Sequence, residues 1–330
     1  MKITRFIRAS LLLAGVLTAS SASAGISGLY VFGDSDSDAG NLAALGVPLA
    51  NGSDIVSPLV VAGAYNPSGT ASNGEVWSQQ LSTKLGLGPL TASFTGGTDY
   101  AISGAFLSDN PTSPLPSIGA QVDGFIAQPG RADGTALYVI EGGTNDLHVA
   151  AQQAAAIIAG GGDPTAMIAN FIGQYVADTL GMIGRLKAEG AERFLVWNLP
   201  DITRTPVYLA TATPGQRASM LAVIQTANAA LAASTSGIAG VTILDAYGTI
   251  DAISSNPATY GLSNVTDPCY GGTCDTNTNL YWDGIHLTSR AYGLIADAAY
   301  DALKIPEPGA LALSLVGLAG LAGRKLRRRT

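Results

Sequence analysis

The sequence predicts an α/β fold built as one large domain around a mainly parallel sheet. Three observations predict it. Apolar runs of strand length recur along the chain and are continuous rather than alternating, the pattern of strands buried on both faces. Longer windows of helical character separate them. Two of the runs stop at glycine, a common mark of the turn that follows a strand.

In order, residues 28–32 (Gly-Leu-Tyr-Val-Phe) read as the first strand, ending at Gly33, and residues 76–85 as a helix. Residues 135–140 form the next strand, ending at Gly142-Gly143, and a helix is expected over 166–188. Residues 193–197 and 241–244 complete the clear strands, with helices over 214–233 and 289–303. In sheets of this kind chemistry gathers at the carboxyl ends of the strands. Ser35 and Asn145 each fall just past such an end, which places them on one rim.

Both ends of the chain read as addresses. Lys2, Arg5 and Arg8 form a basic start, residues 11–17 an apolar stretch, and Ala22-Ser23-Ala24 a small-residue cleavage site. This is the pattern of a signal peptide over 1–24, removed by signal peptidase, with the mature chain starting at Gly25. The apolar stretch is too short to span a membrane comfortably. At the far end, Pro306-Glu307-Pro308 precedes an apolar run over 309–323 and the basic cluster Arg324-Lys325-Leu326-Arg327-Arg328-Arg329. Residues 306–330 closely resemble the PEP-CTERM sorting signal of Gram-negative bacteria. That resemblance implies recognition and removal by a membrane enzyme called an exosortase, and a destination in the cell envelope or outside the cell. A plain C-terminal anchor is the alternative.

The precursor carries 17 basic and 24 acidic residues, net −7. Three basic residues lie in 1–24, and five basic with one acidic in 306–330, so the body between them keeps nine against 23, near −14. Such a surface repels nucleic acid and anionic membrane. At 47% hydrophobic and 12% charged, the chain has the composition of a folded protein, and residues 25–305 suit one domain.

Phe32-Gly33-Asp34-Ser35 near the start and Asp283-Gly284-Ile285-His286 near the end supply a nucleophile, a base and an orienting acid. A serine hydroxyl is a weak nucleophile until an imidazole takes its proton, and a carboxylate fixes the imidazole tautomer. The chain has two histidines, so the base is His286 or His148. His148 lacks a matched carboxylate spacing and reads as a surface or helix-start residue. This combination marks a serine hydrolase.

The segment Phe32-Gly33-Asp34-Ser35-Asp36-Ser37-Asp38-Ala39-Gly40-Asn41 resembles the first block of the GDSL lipase/esterase family, the SGNH hydrolases. Asp99-Tyr100-Ala101-Ile102-Ser103-Gly104-Ala105, Gly142-Gly143-Thr144-Asn145-Asp146 and Trp282-Asp283-Gly284-Ile285-His286 resemble the later blocks, in order. Ser72-Asn73-Gly74-Glu75-Val76-Trp77 resembles a segment found between the first two. The resemblance implies a three-layer, flavodoxin-like α/β/α sandwich and an ester-cleaving triad of Ser35, His286 and Asp283. It also implies an oxyanion hole made by the amides of Ser35 and Gly104 and the Asn145 side chain. Asp34 and Asp146 then read as structural hydrogen-bonders. One position departs: Asp36 stands where the family has leucine. An inward carboxylate there would oppose oxyanion formation, so an outward side chain is expected.

Cys269 and Cys274 are the only cysteines, and in an exported chain they are expected to form a disulfide that stiffens the approach to Asp283 and His286. The acidic run from Asp34 to Asp38 imitates a calcium loop, but Ala39 and Leu45 stand where that loop needs Gly and Glu. No phosphate-binding glycine loop or histidine cluster is present, so no cofactor or metal is expected. The expected substrate is a small-molecule or lipid carboxylic ester. An acetylated surface polysaccharide is the alternative on the same residues, and a non-catalytic matrix protein a third.

Overall fold

The structure is a computed structural model and describes residues 25–46, 65–111, 113–128, 130, 132–270 and 274–303. The expected leader (1–24) and sorting tail (306–330) lie outside the described residues. Four strands form one sheet: β1 (Leu29–Phe32), β2 (Leu137–Ile140), β3 (Arg193–Trp197) and β4 (Val241–Leu244). All pair in parallel, in the order β1-β2-β3-β4. The segment around Asp99 extends the sheet beyond β1. Val31 N–H donates to Thr98, and the amides of Tyr100 and Ile102 donate to Val31 and Gly33, a parallel ladder too short to count as a strand. Chain order across the sheet is therefore that of a flavodoxin-like fold.

The continuous apolar runs have a direct physical reason. Tyr30, Phe32, Tyr138, Ile140, Phe194 and Val196 point into one core. Their alternates Leu29, Val31, Leu137, Val139, Leu195 and Trp197 point into another. Helices α3 (Ile118–Ile126), α4 (Thr144–Ala159), α5 (Thr165–Ala188) and α7 (Pro214–Thr235) supply the first core. Helices α2 (Trp77–Lys84), α8 (Ala246–Ser255) and α9 (Ser289–Ala302) supply the second. The short α1 (Asn41–Ala44) and α6 (Pro206–Thr211) sit at the rim. With apolar residues on both faces of every strand, the sheet has no side to show water.

The expected strands and the four expected helices are all present, within two residues at their ends. Helices α1, α3, α4, α6 and α8 are additional. Among the described residues, no helix is long and apolar enough to cross a membrane.

Candidate active site

The site forms where β1, β2 and the loop before α9 meet. β1 ends at Phe32, and the chain turns sharply through Ser37, with the amides of Ser37 and Asp38 donating to the Asp34 carbonyl. Ser35 rides on this turn, partly exposed. Its Oγ lies 2.9 Å from His286 Nε2. His286 Nδ1 lies 2.7 Å from Asp283 Oδ2, so Nδ1–H donates to the carboxylate, and Nε2 of the unprotonated ring is left to accept from serine. The other carboxylate oxygen of Asp283 accepts the amides of Ile285 and His286. Those two bonds hold the acid and the base as one rigid turn.

Neighbouring segments lock that turn in place. Trp282 N–H donates to the His286 carbonyl across a narrow hairpin. Ser72 Oγ donates to the Leu287 carbonyl, and Asn73 Oδ1 accepts the Ser289 amide at the start of α9. Val207 N–H, in α6, donates to the Gly284 carbonyl. Cys269 and Tyr270 donate their amides to Tyr281 and Trp282, directly before the acid. The cysteine segment thus abuts the loop of Asp283 and His286, and the Cα atoms of Cys269 and Cys274 are 5.2 Å apart, within a disulfide's span.

The three expected oxyanion donors lie on adjoining segments. Asn145, in the first turn of α4, donates through Nδ2 to the Ala105 carbonyl at 2.9 Å and to Asp34 Oδ2 at 3.2 Å. Gly104 precedes Ala105 with φ at +84°, a left-handed conformation that glycine adopts without strain. Asp38 ties this segment to the nucleophile turn by accepting the amide and hydroxyl of Ser103 and the amides of Gly40, Asn41 and Leu42. Asp34 and Asp146 act as hydrogen-bonders, Asp146 accepting the Leu107 amide.

Two expectations are corrected. Asp36 does not point outward: its Oδ1 accepts a 2.6 Å hydrogen bond from Tyr292 Oη on α9. That bond, from a fully buried tyrosine, holds the side chain at the pocket that Ser35 and His286 also line. His148 lies near the start of α4, as expected, but not on the surface. It is 6% exposed, and its ring lies parallel to Tyr208 with Nδ1 2.6 Å from the phenolic oxygen. Burial lowers its pKa to about 4, with the nearby His286 acting the same way, so the ring is neutral at ordinary pH.

Glu141 and Gln121 went unrecognised in the sequence. Glu141 follows β2 and accepts the Asp34 amide at 3.0 Å, while Gln121 bonds both the amide and the carbonyl of Gly33. An acidic residue ending a wholly apolar strand was the available signal for Glu141.

The result is a dense nest of carboxylates. Asp34, Asp36 and Glu141 each can place an oxygen within 4.8 Å of the others, the trio among the described residues best arranged to hold a cation. Burial raises the pKa of all three, helped by Asp36 at Asp34, which stands at about 7, and by Asp34 and Asp36 at Glu141, which stands well above the usual range. Asp38 turns away from this trio, toward Ser103 and α1. Burial also opposes charge on His286. Asp283, Asp36 and Asp34 outweigh it and raise the imidazole to about 9. Asp283 is buried as well, yet His286 and the two loop amides hold it below the ordinary carboxylate value.

A pocket of about 40 Å³ is lined by Ser35, Asn145, His148, Thr205, Ile285 and His286, among others. Next to it, α4, α6 and α7 border a groove of about 880 Å³ whose lining includes Leu147, Ile158, Phe171, Val207, Tyr208 and Met220, and no charged residue. The stacked His148–Tyr208 pair stands between them.

A family model described as GDSL-like lipase/acylhydrolase matches residues 29–299 of the chain. A Pseudomonas putida protein described as an uncharacterized protein in the trpE-trpG intergenic region is 29% identical over 344 residues. The alignment covers 92% of this chain and 52% of that protein, so the chain spans about half the length of the curated relative it matches.

Proposed function

The chain belongs to the GDSL-like lipase/acylhydrolase family, and on that premise we propose that it is a serine hydrolase of carboxylic esters. The observation that carries this reading is the unbroken relay from Ser35 through His286 to Asp283, at 2.9 and 2.7 Å. Ser35 Oγ attacks the ester carbonyl as His286 Nε2 takes its proton, and Asp283 steadies the imidazolium. The carbonyl oxygen becomes an oxyanion, held by the Ser35 and Gly104 amides and by Asn145 Nδ2. Asn145 releases its longer bond, to Asp34, in favour of that oxygen. The intermediate collapses, and the alcohol leaves with the proton from Nε2. Water then attacks the acyl-enzyme, gives its proton to the same nitrogen and frees the acid and Ser35.

The uncharged groove beside the pocket supports acyl esters over acetylated polysaccharide. An alkyl chain gains free energy on leaving water for such a surface, while a polysaccharide would find few hydrogen-bond partners there. The test is labelling of Ser35 by a fluorophosphonate, together with turnover of aryl esters of graded chain length beside acetylated xylan. Absence of labelling and of turnover on every ester would end the serine-hydrolase reading. Turnover of xylan alone would favour the polysaccharide reading.

The address segments support export. In this reading signal peptidase exposes Gly25, the 309–323 run holds the chain at the inner membrane, and an exosortase cuts near Pro306-Glu307-Pro308. Cys269 and Cys274 pair in the oxidising envelope and brace the triad loop. Intact mass from the native host tests these points together. A product that keeps Arg327, Arg328 and Arg329 in the membrane would show a plain anchor, and two free thiols would remove the disulfide.

A further inference from the structure

Asn145 and His148 are three residues apart on α4, a spacing that puts both side chains on one face of the helix. Both line the pocket that contains Ser35 and His286. The His148 ring is positioned from behind: Tyr208 stacks on it with an interplanar angle of 3° and engages Nδ1. Its other nitrogen, Nε2, is buried and has no protein partner. A buried polar atom without a partner is unfavourable. Here that cost falls on a ring already oriented by its neighbour, next to the reaction centre.

Trp197 Nε1 and Tyr281 Oη are also buried without partners and border the same pocket. They belong to the core on the opposite face of the sheet, packed with Trp77 and Leu287. His148 therefore differs from them in sharing a helix face with an oxyanion donor.

We propose that His148 Nε2 binds a hydroxyl group of the ester substrate, making this enzyme selective for hydroxylated esters. The proposal rests on the esterase reading above. A hydroxyl suits the site whichever tautomer is present. If Tyr208 donates to Nδ1, Nε2–H is a donor; if Nδ1–H donates to Tyr208, Nε2 is an acceptor; a hydroxyl answers both. A carboxylate or phosphate does not suit it, because the ring is neutral and Asp34, Asp36 and Asp283 stand nearby. The hydroxyl can belong to the alcohol or to the acyl part, and the experiment separates them.

Two matched pairs serve: glycerol 1-monobutyrate with propyl butyrate, and ethyl 3-hydroxybutyrate with ethyl butyrate. For each pair the readout is the ratio of kcat/KM, hydroxylated over plain, in wild type and in His148→Phe, which keeps a ring against Tyr208. Intrinsic reactivity cancels between the two proteins. In one pair the ratio is expected to fall about tenfold or more in the variant, the scale of one lost hydrogen bond to a buried partner. His148→Gln, which restores a polar group, should recover part of it. The pair that responds identifies the alcohol or the acyl side. Ratios unchanged in both pairs overturn the proposal while leaving the esterase intact. If wild type cleaves none of the four esters nor p-nitrophenyl butyrate, the esterase reading itself falls, and this proposal with it. Should His148→Phe not fold, Tyr208→Phe must lower the same ratio, because it frees the ring that the proposal needs fixed; an unchanged ratio there overturns it equally.

Discussion

The Tyr292 hydroxyl donates a 2.6 Å hydrogen bond to Asp36, anchoring next to Ser35 a carboxylate whose charge acts on His286, the proposed base. Asp36 is one of the charges that raise His286 to about 9, after Asp283. A base works only when unprotonated, so a raised pKa holds the proposed base back near neutral pH. Asp36→Leu removes that charge. The acid-side limb of the kcat/KM profile should move to lower pH, and activity near pH 7 should rise. Tyr292→Phe, which leaves the charge but frees the side chain, should move the limb less. A profile that stays in place in Asp36→Leu would show that Asp36 does not act on the base.

The same shift gives the wild type opposed pH dependences of rate and stability. His286 stands at about 9 in the fold against an ordinary 6.5, so its stabilising share is complete below about 6.5 and disappears as pH rises through 9. Asp34, raised by burial to about 7 from 3.8, acts in the same direction over a lower range. Esterase activity should therefore climb toward pH 9 while Tm falls over the same interval. Thermal melts and initial rates in one buffer series check this. A Tm that rises between about pH 6 and 9 would contradict the direction.

Ser35→Ala and His286→Ala should each lower kcat by about 10⁶-fold, since the nucleophile and base act as a unit, and Asp283→Ala by about 10⁴-fold. The order follows from the geometry. Asp283 holds the ring through Nδ1 but moves no proton, and it also accepts two loop amides that its loss would strand. Circular dichroism on each variant separates lost chemistry from lost fold.

Asn145→Ala should lower kcat about 10²–10³-fold with little change in KM, because its amide reaches the carbonyl oxygen chiefly in the transition state. In the free protein both of its hydrogens already have acceptors, Ala105 and Asp34. An effect confined to KM would make Asn145 a substrate-binding residue instead.

What the sequence revealed and what it hid divide along a physical line. The strands were legible because burial on both faces writes an unbroken apolar run, as in Leu137-Tyr138-Val139-Ile140. Asp283 and His286 were legible because they share one short turn. Asp36 was misread because its direction is set by Tyr292, on a helix near the other end of the chain. His148 was misread for the same kind of reason, since Tyr208 buries it from a separate short helix. Helix α4 was overlooked because its first residues, Thr144, Asn145 and Asp146, read as the end of a glycine-led motif. Local pattern reveals periodicity, and the orientation of a polar side chain depends on distant partners.

The last prediction concerns Glu141, whose Oε2 accepts the Asp34 amide at the base of the nucleophile turn. Glu141 is 1% exposed and its pKa is raised well above the carboxylate range, first by burial and then by Asp34 and Asp36. A neutral side chain of the same shape should therefore be accepted. Glu141→Gln keeps an oxygen for the amide and removes a group that repels its neighbours when charged, so stability near pH 7 should hold or rise. Glu141→Ala strands a buried amide and opens a void, costing about 1–3 kcal/mol for the amide alone. Gly33→Ala attacks the same contact from the other side: its Cβ would meet Glu141 Oε2 at 2.6 Å and Ser37 Cβ at 3.2 Å, and Ser35 would be displaced. Urea denaturation of the three variants, with fluorophosphonate labelling rates as a gauge of Ser35 placement, checks the set. If Glu141→Gln is as unstable as Glu141→Ala, the charge at Glu141 is required, and the neutral buried acid described here is wrong.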